Sequence, residues 1–146
     1  MYSEQHIQLV NLPQIPQHII NALPCDSQQY DNKYHNNNYT WSDSFNQELN
    51  AWCQEHIAQS VYWAFQFIAG NLDIHKDIGT KIKFVYILNN GGSNVTTKFW
   101  AEDKTTLLNQ YIIPEHTWHL LQADTYHSVE GIELGKQRWA VTGRLF

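Results

Sequence analysis

The most constraining feature of this chain begins at residue 60, where short runs of β-branched and aromatic residues alternate with small or polar ones and are cut at intervals by glycine, proline and asparagine. Val61, Trp63, Phe65 and Phe67 recur at every second position over 60–68, which predicts a strand. Ala69-Gly70-Asn71 reads as a turn, and 72–77 and 81–90 as the next strands. Asn89-Asn90-Gly91-Gly92 is a strong turn signal. Further strands are expected at 96–100, 106–113, 117–122 and 137–146, with breaks at Pro114 and Gly131. So many short strands joined by regular turns predict an antiparallel sandwich or barrel.

The first 59 residues read differently. Ile15, Ile19, Ile20 and Leu23 fit a short helix with Pro16 in its first turn and Pro24 as its stop. Residues 25–43 are rich in Asn, Gln, Asp and Tyr and read as a long surface loop. Tyr30, Tyr34, Tyr39 and Trp41 leave open a role for that loop as a lid. Ser44 and Gln47 fit a capping box opening a helix over about 44–58, whose buried face would carry Phe45, Leu49, Trp52, Cys53 and His56. The expected class is mainly β with a few N-terminal helices. At 146 residues the chain suggests one domain, 1–146, with a helical and loop portion at 1–59 and a β core at 60–146.

Composition narrows the partners. A formal net charge of -5 argues against duplex nucleic acid, which needs a basic surface. No apolar run approaches the roughly 20 residues of a membrane span. Cys25 and Cys53 are too few for a disulfide framework and read as free thiols. Residues 1–6 lack the basic and apolar stretches of an export signal. Together these features predict a cytoplasmic protein without a membrane partner.

Three positions carry chemical promise. In His75-Lys76-Asp77 an imidazole and a carboxylate stand two apart, so on a strand they share a face; such a pair alone is as readily a solvated strand end. His127 follows an apolar strand, where a lone histidine is ordinarily a surface or hydrogen-bonded residue. Arg138 opens the last strand, Arg138-Trp139-Ala140-Val141-Thr142-Gly143-Arg144-Leu145-Phe146; if it points inward it needs a partner, for which a bound anion would serve. The combination is more specific than its parts. Two histidines and a carboxylate make a facial triad that leaves three positions open on a non-haem iron(II). A guanidinium suits a carboxylate better than an ammonium does.

The order His-x-Asp, some fifty residues, His, then Arg about ten residues later resembles the iron(II)/2-oxoglutarate-dependent oxygenases. The surrounding text is similar as well: Leu88-Asn89 with its Gly91-Gly92 turn, Thr96 to Trp100, Trp118 to Leu121 leading into His127-Ser128-Val129, and an Arg-led last strand. The resemblance covers 60–146 and looks closest to small phage-type or bacterial members related to prolyl and aspartyl/asparaginyl hydroxylases. It implies a double-stranded β-helix (jelly-roll, cupin-like) core. It also implies Fe(II) held by His75, Asp77 and His127, 2-oxoglutarate as co-substrate with its far carboxylate on Arg138, and dioxygen as oxidant. The substrate would be a peptide side chain or a small molecule. Arg144 competes with Arg138 for its role.

In one respect the chain departs from the family pattern. Many members have Arg-x-Ser where this chain has Ala140, so a second contact to the co-substrate must come from elsewhere: Thr142, Tyr86 or Lys83. If Leu88-Asn89 follows the family register, Lys83, Val85 and Ile87 point inward and Tyr86 outward. Trp63, Phe65, Phe99, Trp118 and Trp139 are expected in the core rather than as pocket walls. His116 and His119 are expected at the surface, and His6, His18, His35 and His56 receive no role. The alternative function is a cupin-like protein that binds a metal or small ligand without catalysis.

Overall fold

Side chains on a strand alternate between two faces, so a strand that is apolar on both must be covered on both. Residues 62–70 are such a strand, and the architecture is built around it. The computed structural model describes residues 6–23, 32–35, 39–59 and 62–145. In chain order the elements are β1 (Ile7–Leu9), α1 (Gln17–Asn21), β2 (Asn32–His35), β3 (Tyr39–Ser44), α2 (Gln47–His56), β4 (Tyr62–Gly70), β5 (Leu72–His75), β6 (Ile82–Asn89), β7 (Thr96–Trp100), β8 (Leu107–Tyr111), β9 (Trp118–Gln122), β10 (Tyr126–Glu130) and β11 (Arg138–Leu145).

These strands form two antiparallel sheets. The larger runs β1-β9-β6-β11-β4-β3-β2 and the smaller β5-β10-β7-β8. Strands distant in sequence alternate within each sheet, as a jelly roll requires, and the fold is a double-stranded β-helix. Trp63, Phe65 and Phe67 of β4, Tyr86 of β6, Trp118 of β9 and Val141 of β11 form the outer face of the large sheet. Ile15, Ile19 and Leu23 around α1 and Leu49 and Cys53 of α2 cover that face. The inner face carries Val85, Ile87, Leu121 and Ala140, which meet Phe99 of the small sheet. No helix among the described residues is long and apolar enough to cross a membrane.

Several sequence expectations change here. Ser44 does not cap α2; it ends β3, and Asn46 is the N-cap, accepting a 2.9 Å hydrogen bond at Oδ1 from the Leu49 amide. Phe45 therefore precedes the helix and is exposed, as is His56, while Leu49 and Cys53 form the buried stripe. The capping carboxamide satisfies an amide that the helix cannot, so Asn46→Ala is expected to cost about 1 kcal/mol. In a domain of this size that lowers Tm by roughly 2–4 °C, readable by calorimetry. Pro16 sits at the N-cap of α1 rather than inside its first turn, and Pro24 lies outside the described residues.

The expected loop at 25–43 is strand wherever it is described above residue 31. β3 pairs with β4 in the register Trp41↔Ile68, and β2 pairs with β3. Polar composition concealed this, since Tyr, Thr and Trp are good strand formers whatever their polarity. The N-terminal portion thus adds three strands to the large sheet, not only helix and loop. Cys53 is a free thiol, and burial pushes its pKa up to about 12, which leaves it unreactive. Cys25, Tyr30 and the backbone at 36–38 lie outside the described residues.

Candidate metal centre and anion pocket

The two histidines of the candidate triad are cross-strand partners. β5 and β10 are antiparallel neighbours with His75 opposite His127, and their ring centroids are 4.3 Å apart. β10 itself was not foreseen as a strand. Val129 is its one aliphatic residue, yet it alternates cleanly, with His127 and Val129 facing the cavity and Ser128 turned the other way to accept a hydrogen bond from Trp100 Nε1. Asp77 reaches the site by a different route from the one the sequence suggested. β5 ends at His75, and Asp77 lies beyond it, its amide donating to the Ala123 carbonyl at 3.0 Å. That bond ties the segment after β5 to the turn between β9 and β10, so the carboxylate is aimed by tertiary contact and not by strand parity.

The Nε2 atoms of His75 and His127 lie 3.4 and 3.5 Å from Asp77 Oδ1. The three ligand atoms fall within 4.8 Å of one another. Each imidazole donates its Nδ1 proton to a backbone carbonyl at 2.7 Å, His75 to Asp73 and His127 to Thr125. In the neutral rings this leaves both Nε2 lone pairs facing a carboxylate oxygen. Three acceptors then converge, an arrangement that a cation relieves, and the backbone carbonyls are the outer partners that metal-bound histidines use. In the protein alone, burial would raise the Asp77 pKa. The contacts that His127 and His75 make with its oxygen, together with the Lys83 charge, more than offset that and hold it well below the usual carboxylate range. Lys83 Nζ lies 3.3 Å from Asp77 Oδ2, leaving Oδ1 for the histidines. The donor set, its tautomers and its fixed carboxylate fit a divalent iron with three adjacent positions open.

A cavity of about 610 Å³ extends from this cluster between the sheets. Tyr39, Trp41, Ile68, Val85, Leu121 and Val129 contribute to its walls. Arg138 is 6% exposed and faces into it. Its guanidinium donates to Thr97 Oγ1 at 3.3 Å and Asn90 Oδ1 at 3.2 Å, while Nε has no partner among the described residues. Burial lowers its pKa to about 10, so it remains charged at neutral pH. No carboxylate among the described residues pairs with it. The turn at Asn89 to Gly92 explains its placement. Gly91 has φ 84°, and a Cβ there would stand 2.8 Å from the Gln137 carbonyl carbon, so only glycine lets this turn press on the start of β11 and bring Asn90 to Arg138.

Of the remaining candidates, Lys83 is in the cavity and Tyr86 is not. Tyr86 is 1% exposed on the outer face, against Trp118 with ring centroids 4.9 Å apart. Thr142 is buried but does not line the cavity, whereas Arg144 and Ala140 do. Trp63, Phe65, Trp118 and Trp139 pack on the outer face and Phe99 in the inner core, as core residues rather than pocket walls. His116 is exposed, but His119 is not the surface residue the sequence suggested: it is 0% exposed and lines the cavity. Its separation of three from His116 suited a helix. The alternation of β9, with Leu121 inward, was the signal that places His119 inside.

An oxidoreductase of the 2OG-Fe(II) oxygenase family from Burkholderia pseudomallei is similar over 87% of this chain and 75% of its own, with TM-score 0.53 and 9% identity. Fe(II)-HppE with the alternative substrate (S)-1-HPP is similar over 86% of this chain, with TM-score 0.52 and 6% identity. The two share the double-stranded β-helix with this chain. No family model and no curated protein matches the sequence. The chain spans 61% of the length of that HppE chain.

Proposed function

We propose that the protein is an iron(II)/2-oxoglutarate-dependent dioxygenase that hydroxylates a small molecule or a peptide side chain. The observation that carries this reading is the pairing of a converged His75–Asp77–His127 cluster with a buried Arg138 that has no carboxylate partner among the described residues, across one cavity. Iron(II) bound there would supply dioxygen activation coupled to conversion of 2-oxoglutarate to succinate and carbon dioxide. The chain's own residues bind and orient. His75, Asp77 and His127 hold the metal on one face. Lys83 fixes the rotation of the Asp77 carboxylate. Arg138 anchors the far carboxylate of the co-substrate, and the apolar walls limit water. A reduced Cys53 thiol and an iron(II) centre suit a cytoplasmic setting, and the acidic charge disfavours duplex nucleic acid as a partner.

A protein that binds a metal or a small ligand without catalysis accounts for the metal cluster or the guanidinium taken singly, whereas their meeting in one cavity favours the oxygenase over that alternative. The test is anaerobic. Iron(II) and 2-oxoglutarate together are expected to produce a weak visible charge-transfer band that neither gives alone, and His75→Ala is expected to lose it. Iron binding with no 2-oxoglutarate-dependent band would return the protein to the non-catalytic reading.

A further inference from the structure

Resting on the oxygenase reading, we infer that His119 is the second anchor of the co-substrate's far carboxylate, donating an imidazole N–H beside Arg138 in place of the hydroxyl that Ala140 lacks.

His119 is fully buried on β9 and faces the cavity, and neither ring nitrogen meets hydrogen-bond geometry with a partner among the described residues, although the Thr117 carbonyl comes close enough to act on the ring. A buried polar group left without a partner is costly, and native interiors rarely keep one without a reason. The surroundings define what would satisfy it. Arg138 and Lys83 line the same cavity and their charges act on the ring, and the charge of Lys83 is itself taken by Asp77. His119 lies across β6 from β11, opposite Val85, and Val85 is two residues from Lys83 on the same face. Burial, then the Arg138 charge, then that of Lys83 disfavour its protonation, while the Thr117 carbonyl offsets this only in part, so the pKa falls to about 3. The ring is therefore neutral at neutral pH, with one N–H to give. A neutral donor and a buried guanidinium, in a cavity whose one carboxylate among the described residues is the proposed metal ligand Asp77, suit an anion. A carboxylate would take the Arg138 fork and the His119 N–H together.

The position differs from a structural histidine in a way that can be measured. His119→Leu removes an unsatisfied polar ring and replaces it with an apolar side chain of similar bulk. The Tm of the metal-free protein is expected to hold or rise, whereas a structural role predicts a fall. With Zn(II) as a redox-inert occupant, the affinity for 2-oxoglutarate is expected to drop roughly 10- to 100-fold, the range for a lost hydrogen bond to a charged group. Oxalate chelates the metal but has no far carboxylate, and its affinity is expected to stay the same. His119→Gln, which keeps a donor, is expected to recover part of the loss. Undiminished 2-oxoglutarate binding in His119→Leu, or an equal loss for oxalate, overturns the assignment and leaves the oxygenase reading standing. No 2-oxoglutarate binding by the wild-type protein overturns both. Should the leucine variant fail to fold, the wild-type ring nitrogens report directly: ¹⁵N resonances of His119 are expected to move on adding 2-oxoglutarate and not oxalate, and resonances that stay still count against the role.

Discussion

His127→Ala is expected to abolish the thermal stabilisation that divalent metal gives this protein. A ligand present at one hundred times its Kd stabilises the folded state by about 2.7 kcal/mol. For a chain of this size that is a rise of roughly 5–10 °C in Tm. The variant should show a shift of no more than about a degree with Zn(II) or anaerobic iron(II). His127 is the deepest member of the cluster, with its side chain 5% exposed, and its Nδ1 is already committed to Thr125, so Nε2 has one direction in which to act. Loss of an outer partner of a metal ligand costs about 10- to 100-fold in affinity, and loss of the ligand itself costs more. The choice of residue matters. Asp77→Ala would also remove the metal, but it would strand Lys83, whose side chain is 10% exposed and whose charge rests on that carboxylate. A fall in its Tm would mix two causes. His127→Ala leaves the Asp77–Lys83 pair intact, so the metal-induced shift reads the ligand alone. A full shift in His127→Ala would mean that metal binds elsewhere.

How much of this was legible depends on which physical signal each residue gave. The strands at 62–70, 82–89 and 138–145 were readable because bulky apolar residues alternate along them. The parity of β6, with Lys83 inward and Tyr86 outward, came instead from the family register of Leu88-Asn89, since that strand is apolar on both faces. β3 and β10 escaped because their inward residues include polar or aromatic side chains, His127 among them, so hydrophobicity along the segment is low although its period is 2. The triad residues were readable by type and order, yet the reason Asp77 arrives was not. It hangs on the hydrogen bond that the Asp77 amide donates to the Ala123 carbonyl, a contact between segments 46 residues apart that no local pattern announces. His119 was misplaced for a related cause: Pro114 and the spacing to His116 suggested a surface turn, while the β9 register against Val85 puts the ring inside. Sequence reading found what a strand's period encodes and missed what pairing between distant strands decides.

Arg138→Met should lose 2-oxoglutarate binding by roughly 10²- to 10³-fold, the scale of removing one member of a buried charge pair, while Zn(II) affinity is unchanged. Among the described residues the buried guanidinium makes only two long hydrogen bonds, to the neutral groups of Thr97 and Asn90. Holding a charge in such a place without a counter-ion destabilises the free protein, so the methionine variant should be no less stable than the wild type when metal and co-substrate are absent. Arg138→Lys separates charge from geometry. It retains the cation but not the planar fork, and an intermediate loss is expected. Arg144 is the internal control. It lines the same cavity six positions along β11, roughly 20 Å away along the strand, beside Lys83 in the register. Arg144→Ala should leave 2-oxoglutarate affinity within about twofold of the wild type, a change comparable to ordinary surface effects. Calorimetric titration of the Zn(II)-loaded proteins distinguishes the two. A large loss in Arg144→Ala with none in Arg138→Met would move the far carboxylate to the other end of the strand, and the cavity would have to be read with the co-substrate reversed.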